Sequence, residues 1–323
     1  MVRSFRPSLS RSARLAVVAG AAALLGTVVA PASAQTLQTV NVISQPVDVT
    51  GNLYYAIDLG IFKRAGLDVK IVPIANPALM AEAVASGNAD IGTTNLVAIV
   101  RAHQGGQPLV IIAPSGATDK ASPLEGIIVG KNTGIKTAKD LNGKTMVVSV
   151  FGSIIQVEAL AWIDKAGGDW KSIKWVEAPP SADGALVATG KVDATVVTEP
   201  YFSAALSAGN GKLLTYVGAE ISPLVVEGGF YCTPDFAKNN PDAVKKFSDA
   251  LLAAGKWANA HPADAAAIMQ KYGGLAPSPL QHRTVYPERF KASDLQSMID
   301  AGAKYGALTA AFPATDMVAP NLR

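Results

Sequence analysis

Polar side chains suited to holding a small molecule gather in four short stretches of this chain. They are Gln45-Pro46-Val47-Asp48-Val49-Thr50-Gly51, Thr93-Thr94-Asn95, Phe151-Gly152-Ser153 and Thr198-Glu199-Pro200-Tyr201. Together they offer hydroxyls, amides, aromatic rings and two carboxylates, with no Lys or Arg. Hydroxyls and backbone N–H groups at helix starts hold a sulfonate or carboxylate, because the helix dipole favours negative charge there. Thr93, Thr94, Gly152 and Ser153 suit that role. Asp48 and Glu199 instead suit an ammonium or the N–H of a heterocycle. The two sets together would hold a zwitterion, or a neutral ring stacked on Tyr54, Tyr55, Phe151 or Tyr201. A bare inorganic anion fits less well, since two nearby carboxylates repel it. Gln45, Thr50 and Asn95 add polar lining, and Asn76 and Ser115 add contacts at the rim. Tyr54 and Tyr55 are helix neighbours and do not share a face. One at most meets a ligand, and Tyr54 is assigned that place.

Signals for catalysis are thin. His103, His261 and His282 lie far apart and lack a metal-ligand spacing such as His-x-x-x-His. Cys232 is the single thiol, has no His close in sequence, and reads as a small buried hydrophobe. There is no Gly-x-Ser-x-Gly elbow and no phosphate loop. The expectation is therefore no catalytic residue, no metal and no cofactor. With one Cys the chain forms no internal disulfide, so packing alone must stabilise it.

The elements that would carry the four stretches repeat. Val84-Ala85-Ser86-Gly87-Asn88-Ala89-Asp90-Ile91 returns as Val187-Ala188-Thr189-Gly190-Lys191-Val192-Asp193-Ala194, an offset of 103 residues at both the Gly and the Asp. In each copy an apolar helical run ends at Gly, which takes a left-handed C-cap cheaply, and a short strand follows. Asp90 and Asp193 read as turn or cap residues. The first unit predicts strands over 39–44, 67–74, 90–92 and 109–113, with helices over 51–63, from Asn76-Pro77 to Gly87, and over 96–103. The second predicts strands over 145–150, 172–177, 194–197 and 213–217, with helices over 154–166, 182–189 and 201–208. Alternating strands and helices imply parallel sheets covered on both faces. In such sheets ligands sit beyond the carboxyl ends of strands, which selects the four stretches above. Segments 115–131, with a strand over 126–129, and 218–231 read as crossings between the units. Helices over 241–259, 262–272 and 292–305 follow, and tail helices of this kind pack back against a lobe.

The first 34 residues have the three parts of an export signal. Arg3, Arg6, Arg11 and Arg14 form a basic start, 15–30 is apolar but short for a membrane span, and Ala32-Ser33-Ala34 suits cleavage. Gln35 follows the cut, so a lipid-anchored Cys is not expected. Removing four Arg with no opposing carboxylate turns the formal net charge of +3 into −1. Nothing basic then remains to imply nucleic-acid binding. Charged residues make up 16% and hydrophobic ones 49% of the chain, which excludes a disordered protein.

The stretch from Tyr54 through Gly60-Ile61-Phe62 to Gly66-Leu67-Asp68-Val69 resembles the opening helix and strand of the nitrate/sulfonate/taurine-type periplasmic binding proteins. Ala85-Ser86-Gly87-Asn88-Ala89-Asp90-Ile91-Gly92, Lys139-Asp140-Leu141-Asn142-Gly143-Lys144 and Thr198-Glu199-Pro200 resemble their later motifs, in order. The likeness runs over about 40–308. It implies an α/β type II periplasmic-binding-protein fold, with two doubly wound α/β lobes joined by two hinge crossings. Residues 35–128 with 224–323 would form a discontinuous first lobe, and 129–223 the second. It further implies a periplasmic, monomeric protein that captures a small molecule by hinge closure and delivers it to an ABC transporter permease. After cleavage of the signal no membrane insertion is expected. The ligand stays open between a sulfonate or taurine-like molecule and a nitrogen heterocycle, because the superfamily also includes pyrimidine-precursor and flavin binders. Its yeast-type pyrimidine synthases consume an active-site His and need a Cys-rich segment that this chain lacks. Two alternatives remain: the same fold docking onto a receptor as a sensor, and an exported enzyme.

Overall fold

The computed structural model describes residues 36–72, 74, 79–272 and 282–322. Within Thr36–Arg323, a single compact unit, two five-stranded sheets share one plan. The first half supplies β1 (Gln38–Ile43), α1 (Gly51–Asp58), α2 (Ile61–Arg64), β2 (Leu67–Ile71), α3 (Met80–Ala85), β3 (Ile91–Asn95), α4 (Leu96–Gln104) and β4 (Val110–Pro114). Next come β5 (Ala117–Asp119) and β6 (Glu125–Val129). The second half supplies β7 (Thr145–Val148), α5 (Ile154–Lys165), β8 (Lys174–Glu177), α6 (Pro180–Ala188), β9 (Ala194–Thr198), α7 (Tyr201–Ser207) and β10 (Lys212–Tyr216). The chain then runs through β11 (Leu224–Val226) and β12 (Gly228–Cys232) to α8 (Pro234–Asn239), α9 (Pro241–Ala260), α10 (Pro262–Lys271) and α11 (Ala292–Lys304).

The first sheet has the order β2-β1-β3-β12-β4 and the second, read from its far edge, β8-β7-β9-β6-β10. β1 pairs in parallel with β2 and β3, and β7 in parallel with β8 and β9. In both sheets the fourth place is taken by an antiparallel strand, β12 or β6. The sheets are therefore mixed, where strand–helix alternation alone predicts parallel ones. The inserted strands come from the crossing segments, so each enters its sheet from the opposite end. β5 and β11 pair with each other as a separate two-stranded antiparallel ribbon.

The repeated motif acts the same way in both halves. Gly87 and Gly190 take φ of +78° and +69°, ending α3 and α6 in the left-handed region where a Cβ is penalised. Asp90 Oδ2 accepts the Asn41 N–H of β1 at 2.7 Å, and Asp193 Oδ2 accepts the Thr145 N–H of β7 at 2.8 Å. Each aspartate thus ties the start of its own strand to the strand beside it, Asp90 at the middle of β1 and Asp193 at the first residue of β7.

Two expected elements differ. The helix over 51–63 is broken into α1 and α2, because Gly60 adopts φ +68°. Thr93–Asn95 are the last residues of β3, not a loop, and pair with Phe230, Gly229 and Gly228 of β12. The helix opening at Asn76-Pro77 falls partly outside the described residues.

The three tail helices form as the apolar spacing predicts. Pro241 opens α9, whose Ala243, Val244, Phe247, Ala250, Leu251, Ala254 and Ala258 recur at three- and four-residue steps and are buried. Phe247 stacks on Phe62 of α2 at 5.0 Å and meets Phe230 of β12 at 5.7 Å, which fixes α9 against the first sheet. Full burial of such a ring stabilises by roughly 1.5–3 kcal/mol. The helix α11 packs on both α4 and α5. At its end Lys304 Nζ and the Tyr305 hydroxyl reach Asp164 Oδ2 of α5 at 2.7 and 2.9 Å. Among the described residues no helix is long and apolar enough to cross a membrane.

Candidate functional site

At the carboxyl end of β1 the chain turns tightly before α1. The Thr50 hydroxyl donates to the Gln45 carbonyl at 2.5 Å, closing the turn, while the Gln45 side chain stays exposed. Asp48 is engaged internally. Its Oδ2 accepts from Arg283 Nε at 2.9 Å and from the Thr284 N–H at 3.1 Å, and its Oδ1 accepts from Arg283 Nη2. The Tyr286 hydroxyl donates to the Asp48 carbonyl. Both Asp48 oxygens are therefore occupied, and the loop's negative charge is cancelled beside it.

The two tyrosines of α1 turn to different neighbours. Tyr55 meets Tyr286 edge-on at 5.8 Å, and the Tyr54 ring lies against Tyr272 at 5.1 Å. The Tyr54 hydroxyl is buried with no protein partner among the described residues, and burial raises its pKa. Thr93 Oγ1 at the end of β3 is likewise buried and unpartnered, as are Asn52 Oδ1 and Ser115 Oγ. Thr94 is half-buried. Asn95 caps α4, its Oδ1 accepting the Ala98 N–H at 2.9 Å. Asn76 lies outside the described residues.

From the second sheet, Val150–Ser153 leads β7 into α5. The Phe151 N–H donates to Glu177 Oε1 at 2.5 Å and the Gly152 N–H to Gln156 Oε1 at 2.6 Å, which turns the Phe151 ring outward, 47% exposed. Ser153 is the N-cap of α5 but makes no side-chain cap bond, and its Oγ is buried without a partner. At the end of β9, Glu199 accepts from the Ser203 hydroxyl at 2.5 Å and the Ser203 N–H at 3.1 Å. Burial pushes its carboxyl above the usual range. Tyr201 opens α7 and is 37% exposed.

The four stretches contain no cation, yet the fold brings two arginines to them. Arg283 pairs with Asp48, and Arg101 of α4 donates to the Phe151 carbonyl at 3.4 Å. His282, the neighbour of Arg283, meets Tyr216 of β10 edge-on at 5.6 Å and acts electrostatically on Glu199. Residues 282 and 283 thus connect the Asp48 turn of the first sheet with the Glu199 turn of the second. Sequence reasoning missed both, since 235 positions separate Asp48 from Arg283.

The other histidines stand elsewhere, His103 stacked on Phe312 at 5.5 Å and His261 on Trp257 at 5.0 Å. Cys232 is fully buried, and burial pushes its thiol up to about 12.

This architecture superposes on the crystal structure of the periplasmic aliphatic sulphonate binding protein SsuA from Escherichia coli. The TM-score is 0.71 at 20% identity, over 87% of this chain and 92% of that one. The fold is that of the type II periplasmic binding proteins. The family model described as NMT1/THI5 like matches residues 48–265, more than half of the chain, and the chain belongs to that family. A relative from Escherichia coli that carries the name aliphatic sulfonates-binding protein is 28% identical over 226 residues, 67% of this chain and 68% of its own. The 4-amino-5-hydroxymethyl-2-methylpyrimidine phosphate synthase THI13 of Saccharomyces cerevisiae is 26% identical over 239 residues, 68% of this chain and 66% of its own. The chain thus spans about two thirds of the length of these curated relatives.

Proposed function

We propose that this is an exported, periplasmic solute-binding protein that captures a small organic molecule between two lobes and delivers it to an ABC importer. The first lobe comprises 35–128 with 224–323. The second comprises 129–223, and the pairing of β6 with β9 favours counting Glu125–Ile128 with it rather than with the first. The observation that carries the reading is the chemistry of the loop ends. Val47 from the first sheet, and Val150, Phe151 and Tyr201 from the second, expose 50%, 56%, 47% and 37% of their surface. Exposed apolar side chains beside buried, unpartnered hydroxyls are what a small-ligand site requires. Tyr54, Thr93 and Ser153 supply such hydroxyls, from both sheets.

An aliphatic sulfonate is the favoured ligand class. The objection to an anionic head was repulsion by Asp48 and Glu199. Arg283 cancels the first, and burial favours the neutral form of the second. Ser153 at the start of the twelve-residue α5 and Arg101 beside Phe151 add positive potential. The name of the Escherichia coli relative supports the same class. Ligand contacts to both lobes then favour the closed state, which is the whole mechanism. Burial of Cys232 and the separate aromatic partners of His103, His261 and His282 support binding over thiol–histidine catalysis. The likeness to THI13 keeps a pyrimidine as the second ligand class.

A thermal-shift panel of alkanesulfonates, taurine, nitrate, pyrimidines and flavins tests the reading. A ligand at one hundred times its Kd adds about 2.7 kcal/mol to the folded state. A shift with sulfonates is expected. A shift with pyrimidines alone would overturn the ligand class, and conversion of any panel member to product would overturn the binding role.

A further inference from the structure

Three glutamates outside the four candidate stretches meet where the crossings join the second sheet. Glu125 is the first residue of β6, Glu158 lies on α5, and Glu227 directly follows β11. They are 2%, 0% and 5% exposed. One carboxylate oxygen from each lies within 4.8 Å of the other two. Both oxygens of Glu158, Oε2 of Glu125 and Oε1 of Glu227 are buried with no protein partner among the described residues. The Thr198 hydroxyl donates to the remaining oxygen of Glu125 at 2.9 Å. The turn at Gly218 closes over the group: a Cβ there would stand 3.2 Å from Glu158 Oε1 and 3.1 Å from the methyl of Thr118.

We propose that Glu125, Glu158 and Glu227 bind a hard divalent cation of the Ca2+ type, which ties the second crossing to the second sheet at the hinge. The donors are all carboxylate oxygens, the set that suits Ca2+, Mg2+ or Mn2+ over softer ions. Two ligands of one Ca2+, each about 2.4 Å from it, stand at most about 4.8 Å apart, whereas Mg2+ at about 2.1 Å draws its ligands within about 4.2 Å. The three oxygens lie within 4.8 Å of one another, inside the span that Ca2+ permits. Mg2+ also gives up its waters reluctantly, which disfavours it in so dry a place.

Electrostatics point the same way. The charged groups that act on the three carboxylates are one another and Glu199; no Lys, Arg or His among the described residues acts on them. Buried carboxylates at this spacing need either protons or a cation. Burial raises all three, Glu125 to about 8, so near neutral pH the cluster retains protons that an entering cation displaces. Glu227 lies on the ribbon side of the cluster and Glu158 on the second-sheet side, so a shared ion resists any movement that separates them. Thr198 and Glu199 of the fourth stretch border it, so the site adjoins the second-sheet side of the candidate cleft without sharing its unpartnered hydroxyls.

The test uses the purified protein freed of metal with EDTA, then titrated with CaCl2 or MgCl2. Equilibrium dialysis should find one Ca2+ per chain, bound more tightly than Mg2+. Saturation at one hundred times Kd should raise Tm by about 4 °C. In weakly buffered solution, binding should release at least one proton per ion. The double variant Glu158→Gln/Glu227→Gln keeps the shape without the charge and should lose all three effects. Ser153→Ala, at the ligand cleft, should keep them. Absence of Ca2+ binding by the unaltered protein, or stoichiometric binding that survives in the double variant, would overturn the proposal.

Discussion

Asp48→Asn separates two roles that one carboxylate could play. In the structure its oxygens hold Arg283 through two bonds and the Thr284 N–H through a third. The Arg283 and Asp48 side chains are 23% and 21% exposed, between the surface and the fully buried case. Exposed pairs contribute about 0–1 kcal/mol, and breaking a buried pair costs about 3–5 kcal/mol. An intermediate loss of about 2 kcal/mol is therefore expected. Over roughly 290 residues the unfolding entropy is about 0.6 kcal/mol/K, so Tm should fall by about 3 °C. Differential scanning calorimetry reads that shift. Isothermal titration reads affinity for an alkanesulfonate, which should hold or improve as Arg283 is released. An unchanged Tm with a tenfold loss of affinity would refute this reasoning and return Asp48 to direct ligand contact.

Other outcomes follow from the same structure. Asp90→Asn and Asp193→Asn should each cost about 1–3 kcal/mol in urea unfolding, the range for a charged hydrogen bond, and the two losses should add because they lie in different sheets. Strong non-additivity would contradict so local a role. Cys232, with its thiol pushed up to about 12, should resist iodoacetamide at pH 8 in the folded protein and react after denaturation. In EDTA-treated protein, Glu125, Glu158 and Glu227 have folded pKa values raised above the ordinary 4.5, so the folded chain holds protons that the unfolded chain has lost. Their contribution is fully present below that value and is lost as pH rises toward about 8, the value for Glu125. The loss should reach several kcal/mol at ~1.4 kcal/mol per pH unit. Urea unfolding at pH 5, 6.5 and 8 measures it, and Glu158→Gln should flatten the slope.

Local signals were legible in the sequence and long-range ones were not. The helix ends at Gly87 and Gly190 and the tail helix opened by Pro241 depend on a few neighbouring residues, and they stand where the pattern puts them. The antiparallel strand β12 was hidden because Gly228-Gly229 offers little strand propensity, so the segment reads as a crossing. Thr93–Asn95 reads as a loop because its pairing partner lies more than 130 residues further on. The site shows the same division. The hydroxyls and aromatics of the four stretches could be named from their place after strands. Arg283 reaches Asp48 from the tail, and Glu125, Glu158 and Glu227 come from a strand, a helix and a crossing. No spacing rule connects residues that only tertiary packing brings together.

The most direct test of capture between two lobes is isothermal titration of one alkanesulfonate into the unaltered protein, Thr93→Val and Ser153→Ala. Each variant removes one buried hydroxyl, from the first and the second sheet respectively. Both should weaken binding, by about 0.5–1.5 kcal/mol or roughly two- to tenfold, with Tm of the free protein little changed. Full affinity in either variant, or no sulfonate binding by the unaltered protein, would contradict the account.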